Sequence, residues 1–171
     1  MSQKCTFTNI YNEREYKLFE YCPSLFRPLY NDMEKPALRR KLRFAMEYCQ
    51  KGGYRVYYLE VSNNIVGYCV VSPGGRRLQC STTKDIVIGP YFIDRKFRGN
   101  GYSKVLIDLS INHCAYQWES AYDWIRDDNV ASKKASEACG FLPVGKMSVT
   151  KLFRRIVVSD NGNYIIYRKT K

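Results

Sequence analysis

Ile93-Asp94-Arg95-Lys96-Phe97-Arg98-Gly99-Asn100-Gly101-Tyr102-Ser103 sets a basic, glycine-containing loop between an apolar strand and an amphipathic helix. Gly99 and Gly101 tolerate positive φ and put no Cβ in the way, so backbone N–H groups from Arg98 to Ser103 can converge on anionic oxygens. The helix that follows, over 101–116, adds its unpartnered first-turn donors and the positive end of its dipole. Phosphate suits such a loop, with Arg98 and Lys96 supplying charge. The segment lacks the Gly-x-x-x-x-Gly-Lys-Ser/Thr of a Walker loop and the full Gly-x-Gly-x-x-Gly of a dinucleotide fold. On its own it also fits an ordinary strand-to-helix turn with two permissive glycines.

A second junction of the same kind lies downstream, Ile125-Arg126-Asp127-Asp128-Asn129-Val130-Ala131-Ser132, between a strand over 119–126 and a helix over 129–139 that closes on Cys139-Gly140-Phe141. Before the first loop comes a strand over 85–93, in which Gly89-Pro90 predicts a β-bulge because proline donates no ladder bond. Upstream, residues 54–61 and 65–72 form a hairpin across Ser62-Asn63-Asn64, and residues 5–11 alternate as a first strand. Leu25, Phe26, Leu29, Tyr30 and Met33 fall at helical spacing. After Pro36, Leu38, Leu42, Ala45, Met46 and Cys49 repeat it up to Gly52-Gly53, with Arg39, Arg40, Lys41 and Arg43 as the solvated face. The tail reads as strands over 141–149, 152–158 and 164–169, the last two joined in a hairpin by Asp160-Asn161-Gly162-Asn163.

With 171 residues, 45% apolar and 26% charged, the chain predicts one domain, 1–171, with a continuous core, and excludes a disordered or fibrous class. No apolar run approaches a membrane span, and Met-Ser-Gln-Lys-Cys-Thr has no apolar leader, which places the protein in the cytoplasm with no membrane role. Seven cysteines, at 5, 22, 49, 69, 80, 114 and 139, show no CxxC or CxH pairing, and most of them read as reduced, buried, small hydrophobes. No metal site is expected. The formal charge of +12, from 28 basic and 16 acidic residues, draws polyanions to the surface. Charge alone does not rank a small nucleotide-linked ligand, nucleic acid and a membrane surface, and a nucleic-acid partner is not the one expected.

Taken together, the two junctions resemble the Gcn5-related N-acetyltransferase (GNAT) superfamily. Its pattern is an apolar strand, a Gln/Arg-x-x-Gly-x-Gly/Ala loop, a helix, another strand, then Asn-x-x-small and a closing Gly-Phe. The resemblance implies an α/β (α+β) fold, with a mixed, largely antiparallel twisted sheet of about seven strands flanked by about four helices and splayed in the middle for acyl-CoA. It implies a transferase that moves an acyl group, most simply acetyl from acetyl-CoA as co-substrate, to an amine by direct transfer in a ternary complex. Phe92 and Ile93 would pair with the pantetheine arm as with an added strand. Arg98, Gly99, Asn100, Gly101, Tyr102 and Ser103 would cradle the diphosphate. Asn129 and Ser132 would meet the same arm, and both also serve simply to cap their helix.

Three positions depart from the pattern. Lys96 replaces the family's Gln/Arg and loses the planar guanidinium fork. Ser136 stands where many members carry a tyrosine that protonates the leaving thiolate, and Gly89 where a glutamate base is common. Ser136 is therefore the catalytic candidate by position only, and the general base is unidentified. Asp85, Asp94, Glu119, Asp123 and Tyr91 are near enough in the pattern to be considered, each with a plain surface or ion-pair role as the alternative. Cys139, at a helix C-terminus where the dipole disfavours a thiolate, is set aside as a nucleophile. His113 reads as a structural histidine on an apolar helix face, and Trp118 and Trp124 as core or sheet-edge residues. The acceptor expected is a small-molecule amine, an amino sugar among them, since an amine of low pKa needs no strong base. The fifteen tyrosines hint at a polar aromatic acceptor cleft. The alternatives are a protein N-terminal or lysine acetyltransferase, or a non-catalytic module whose basic surface binds nucleic acid or protein. Monomer and homodimer both remain open.

Overall fold

The computed structural model describes residues 6–30, 38–76, 78–149 and 156–171. Among these the chain forms β1 (Phe7–Glu13), β2 (Tyr16–Tyr21), α1 (Leu38–Tyr48), β3 (Arg55–Val61), β4 (Asn64–Pro73), β5 (Ile86–Ile93), α2 (Tyr102–Asn112), β6 (Ser120–Arg126), α3 (Val130–Ala138), β7 (Leu142–Val149), β8 (Ile156–Val158) and β9 (Tyr164–Thr170), with a single 3₁₀ turn at Arg95–Phe97. The class is the expected mixed, mostly antiparallel α/β sheet. Its counts differ: among the described residues nine strands and three α-helices stand where about seven and four were expected. Cys5, Met33, Pro36, the Arg39 side chain and the start of the 152–158 strand lie outside the described residues. No helix among the described residues is long and apolar enough to cross a membrane.

Two compact units share the chain, one of Met1–Ser72 with Pro90–Ala115 and the other of Pro73–Gly89 with Tyr116–Lys171. In the first, β1 to β4 pair antiparallel in sequence order, with tight turns between β1 and β2 and between β3 and β4, and with α1 in the long connection from β2 to β3. Ser62 and Asn63, with φ 49 and 60, supply the left-handed pair that a two-residue hairpin needs. β2 was missed in the sequence because Tyr16–Tyr21 has only Leu18 and Tyr21 fully inside, too few to outvote the helical spacing that follows.

That spacing at Leu25–Tyr30 forms no helix. Phe26 is 90% exposed, and the segment's main chain is bonded instead to core tyrosines. Tyr21 Oη donates to the Arg27 carbonyl at 2.9 Å, Tyr54 Oη to that of Pro28 at 3.2 Å, and Tyr58 Oη accepts from the Tyr30 N–H at 2.8 Å. Three hydroxyls thus satisfy the backbone groups that a helix would have satisfied itself. Helix α1 forms as expected, but on a rotated face. Phe44 and Glu47 are inside, whereas Leu38, Leu42 and Met46 are exposed. Phe44 joins Tyr54, Val56, Tyr58, Tyr68 and Val70 in the core of this unit.

In the second unit the first half of β5 pairs in parallel with β6 at Ile86↔Ala121 and Val87↔Tyr122, and β6 pairs antiparallel with β9 along its length. Gly89 then takes φ 94, an interruption at the place where Gly-Pro predicted a bulge. Leu78, Tyr122, Met147, Ile156 and Ile166 form the core. The hairpin expected between the last two strands is not there: β7 lies between β8 and β9 and pairs with both. The Asp160–Asn163 segment therefore carries the chain past β7. A Cβ at Gly162 would run into the Met147 main chain, so only glycine fits this passage. Of the described cysteines Cys69 and Cys139 are buried as expected, Cys22 and Cys114 are half-buried, and Cys49 and Cys80 are exposed.

Candidate functional site

The phosphate-type loop is built from its ends. At the strand end, the Asp94 N–H donates to the Val66 carbonyl at 2.9 Å, and its carboxylate accepts from the Lys96 N–H at 3.0 Å, capping the 3₁₀ turn. Asp94 thus has a local task of its own. The close approach of β4 and β5 here is enforced by Gly67, where a Cβ would meet the Phe92 carbonyl. Arg98 is extended, donates through Nε to the Ile93 carbonyl at 3.0 Å, and lies 5.5 Å from the Phe92 ring centroid. Asn100 Nδ2 reaches back to the Phe97 and Arg98 carbonyls at 3.1 and 3.4 Å. At the helix end, Leu106, Ile107, Ser110 and Ile111 are buried and seat α2.

Between these anchors the glycines face open space. Gly99 and Gly101 have φ 85 and 75, both are exposed, and a Cβ at either meets nothing within 4 Å. Gly101 is the N-cap residue of α2 and offers no side-chain acceptor, so helical geometry gives the Tyr102 and Ser103 amides no partner of their own. The Lys104 N–H bonds the Gly101 carbonyl at 3.0 Å, and Lys104 Nζ is paired with Asp108 at 2.8 Å. Arg95, Lys96 and Arg98 are exposed around this mouth. Phe92, Ile93 and Arg98–Ser103 are thus brought together on one strand-turn-helix.

At the second junction the arrangement is closed. Asn129 Oδ1 accepts from the Ser132 N–H at 3.2 Å, which makes Asn129 the N-cap of α3. Arg126 grips Asp128 with two bonds of 2.6 Å and holds its carboxyl below the usual range. Lys133 Nζ donates to the Asp127 carbonyl at 2.6 Å. Arg126, Asp127, Asp128, Lys146 and the Asp160–Asn163 segment line an open polar cleft of about 660 Å³.

One helical turn beyond Ser132, Ser136 is fully buried and its Oγ donates to the Asp123 carboxylate at 2.5 Å. Its proton is already committed. Asp85 is a buried organiser that accepts from the Thr82 N–H at 2.7 Å and the Ser120 N–H at 3.1 Å. Glu119 is exposed and paired with Lys84 at 3.1 Å. Tyr91 is half-buried, and Cys139 is buried at the end of α3. Trp118 is inside, with the Lys171 ammonium 5.5 Å from its ring, and Trp124 meets Tyr164 edge-on at 5.3 Å. His113 is not on an apolar face. It is the exposed C-cap of α2, with its ring 4.8 Å from that of Tyr11.

Two features went unseen in the sequence, the Asp123–Ser136 pair and the polar cleft. Thirteen residues separate the pair, and only the docking of α3 on β6 joins them.

The acetyltransferase (GNAT) family model matches residues 10–141. No curated protein matches the chain in sequence. Among solved structures, RimL, a ribosomal L7/L12 alpha-N-protein acetyltransferase, aligns over 96% of this chain and 95% of its own, with TM-score 0.63 and 15% identity. The Microcin C7 self-immunity acetyltransferase MccE, solved with acetyl-CoA and AMP, aligns over 90% and 92%, with TM-score 0.57 and 15% identity. The Campylobacter jejuni N-acetyltransferase PseH, in complex with acetyl coenzyme A, aligns over 78% and 79%, with TM-score 0.52 and 12% identity. At such identities the likeness is one of fold.

Proposed function

Because the chain belongs to the acetyltransferase (GNAT) family, we propose that it moves an acetyl group from acetyl-CoA to the nitrogen of a small-molecule amine. The observation that carries this reading is the mouth of α2, with two glycines facing open space, no side-chain cap and exposed cations around it. A diphosphate fits that chemistry, because main-chain donors at a helix start hold anionic oxygens without induced rearrangement. Arg98, Gly99, Asn100, Gly101, Tyr102 and Ser103 hold the diphosphate of CoA, with Arg98 pre-set by its bond to Ile93. The main chain of Phe92 and Ile93 borders the pantetheine arm as a neighbouring strand would.

Acetyl-CoA supplies an acyl carbon already activated as a thioester, whose thiol leaves readily with a pKa near the cysteine value of about 8.5. The protein's part is to hold and orient. Asn129 and Ser132 act first as the cap of α3, and Ser136 as the partner of Asp123. β5 carries no carboxylate of its own, which favours an acceptor of low pKa such as an amino sugar. A second reading, a protein N-terminus as acceptor, draws on the nearly full-length likeness to RimL.

Calorimetry with acetyl-CoA, followed by thiol release over glucosamine, lysine, spermidine and a peptide with a free N-terminus, tests both. Binding with turnover on the small amines is expected. Turnover on the peptide alone would move the second reading to first place, and absence of acetyl-CoA binding would end the proposal.

A further inference from the structure

Helix α1 turns an apolar row outward. Its inner side is fixed by Phe44, which is 2% exposed and stacks on the Tyr54 ring at 5.3 Å, and by Glu47, which is buried too. Leu38, Leu42 and Met46, four residues apart, share the opposite side and are 73%, 58% and 51% exposed. At about 100° per residue, Lys41 and Arg43 fall on either flank of that row. The only acid in the helix is the buried Glu47, so no negative charge faces outward from it. Single exposed hydrophobic side chains are ordinary on a protein surface, whereas three in register on one helix face form a contact surface.

We infer that the outer face of α1 docks an acidic amphipathic helix of a partner protein. Spacing selects a helix. Side chains at i, i+4 and i+8 form one of the ridges that seat in the groove of a second helix, with axes roughly 8–10 Å apart. Charge selects an acidic one. Lys41 and Arg43 flank the ridge and the whole chain carries +12, so carboxylates on both sides of the partner's apolar row complete the pairing and speed the encounter. The inference stands apart from the acyl-transfer reading, because docking on α1 needs no acetyl-CoA.

Two other occupants fit less well. An anionic bilayer would satisfy the cations, but the row of Leu38, Leu42 and Met46 covers only about 80° of the helix surface, narrower than the broad apolar face of a helix that lies in a membrane interface. A second copy of this chain would supply a matching ridge and the wrong charge. Packing α1 on α1 sets Lys41 and Arg43 against the same cations, and like charges across an interface repel.

The probe is a synthetic, end-capped peptide with leucines at helical spacing on one face and glutamates on the others, carrying a fluorophore and titrated with the full-length chain by anisotropy. A scrambled peptide of the same composition is titrated alongside, as are phosphatidylcholine vesicles with about 30% phosphatidylserine. The helical peptide should bind at least about tenfold more tightly than the scrambled one, since only it presents a continuous apolar row. Raising salt from about 50 to about 300 mM should weaken it several-fold. Leu42→Ser and Lys41→Glu should each cost about tenfold in affinity. Leu142→Ser, at an exposed apolar position of β7, should cost nothing. Bound peptide should also slow amide exchange over Leu38–Tyr48. Leu42 and Lys41 are both exposed, so each variant should keep the wild-type thermal midpoint, and if one fails to fold the other decides together with the exchange pattern. The inference is overturned by absence of helical-peptide binding, by equal binding of the two peptides, or by unchanged affinity in Leu42→Ser and Lys41→Glu. Binding to vesicles without binding to the peptide would assign the face to a membrane, and wild-type self-association abolished by Leu42→Ser would assign it to a second copy; either result overturns it as well.

Discussion

The two strand-to-helix junctions are alike in outline and opposite in what they do with their first-turn donors. At α3 the chain closes its own helix: Asn129 accepts from the Ser132 N–H, and Arg126 and Lys133 tie down the acidic turn before it. At α2 the cap position is Gly101, with no side chain to accept anything, and the neighbouring glycine is open too. A helix normally gains about 1 kcal/mol from a good N-cap residue. Glycine at the α2 cap gives up only a few tenths of a kcal/mol of that, and it leaves the Tyr102 and Ser103 amides without a side-chain acceptor. Stability at the closed junction and the binding proposed for the open one should therefore respond to different substitutions.

The largest effect is expected at the open mouth. Gly101→Val puts a branched side chain at φ 75 and covers the Tyr102 and Ser103 amides, so calorimetry should show acetyl-CoA affinity falling about 100-fold, the worth of two charge-assisted hydrogen bonds at the low end of their range. Arg98→Ala should cost about tenfold and flatten the salt dependence of binding, since one exposed cation leaves the site. An affinity unchanged in both variants would erase the contrast.

At the closed junction the sign of the result changes. Asn129→Ala should lower the thermal midpoint by about 2–4 °C, following a loss of about 1 kcal/mol, and leave acetyl-CoA affinity alone. If affinity falls too, the α3 junction also serves the ligand. The smallest effect belongs to Asp128. Its carboxyl is held below the usual range by Arg126, so whatever it contributes is present above the unfolded value of about 3.9 and is lost as pH falls through the lower folded value. Asp128→Asn should then give a slightly lower midpoint than wild type at pH 7, with the gap closing in strongly acidic buffer. An equal gap at both ends of that range would mean that Asp128 acts by something other than its charge.

The sequence revealed the open junction better than almost anything else in the molecule, because it depends on residues adjacent in the chain. Glycines at 99 and 101, a basic flank and an apolar strand before them are all local properties. What failed was non-local. The spacing of Leu25, Phe26, Leu29 and Tyr30 is that of a helix, but hydroxyls of Tyr21, Tyr54 and Tyr58 take up the segment's main chain. The turn at Asp160–Asn163 has the composition of a hairpin, and only the insertion of β7 between β8 and β9 shows that it joins strands that do not touch. Ser136 was picked out by its place in a pattern. Its burial against Asp123 depends on how α3 docks on β6, which no spacing within either element encodes.

β5 begins in one compact unit and ends in the other, and the chain changes unit after residues 72, 89 and 115. During synthesis the first unit is thus incomplete until residue 115 has left the ribosome, by which time 73–89 has emerged and must wait for 116–171. Neither unit corresponds to one contiguous stretch of coding sequence. Evolution can retune either by point substitution or loop insertion, but cannot exchange one as a cassette without cutting the chain in several places.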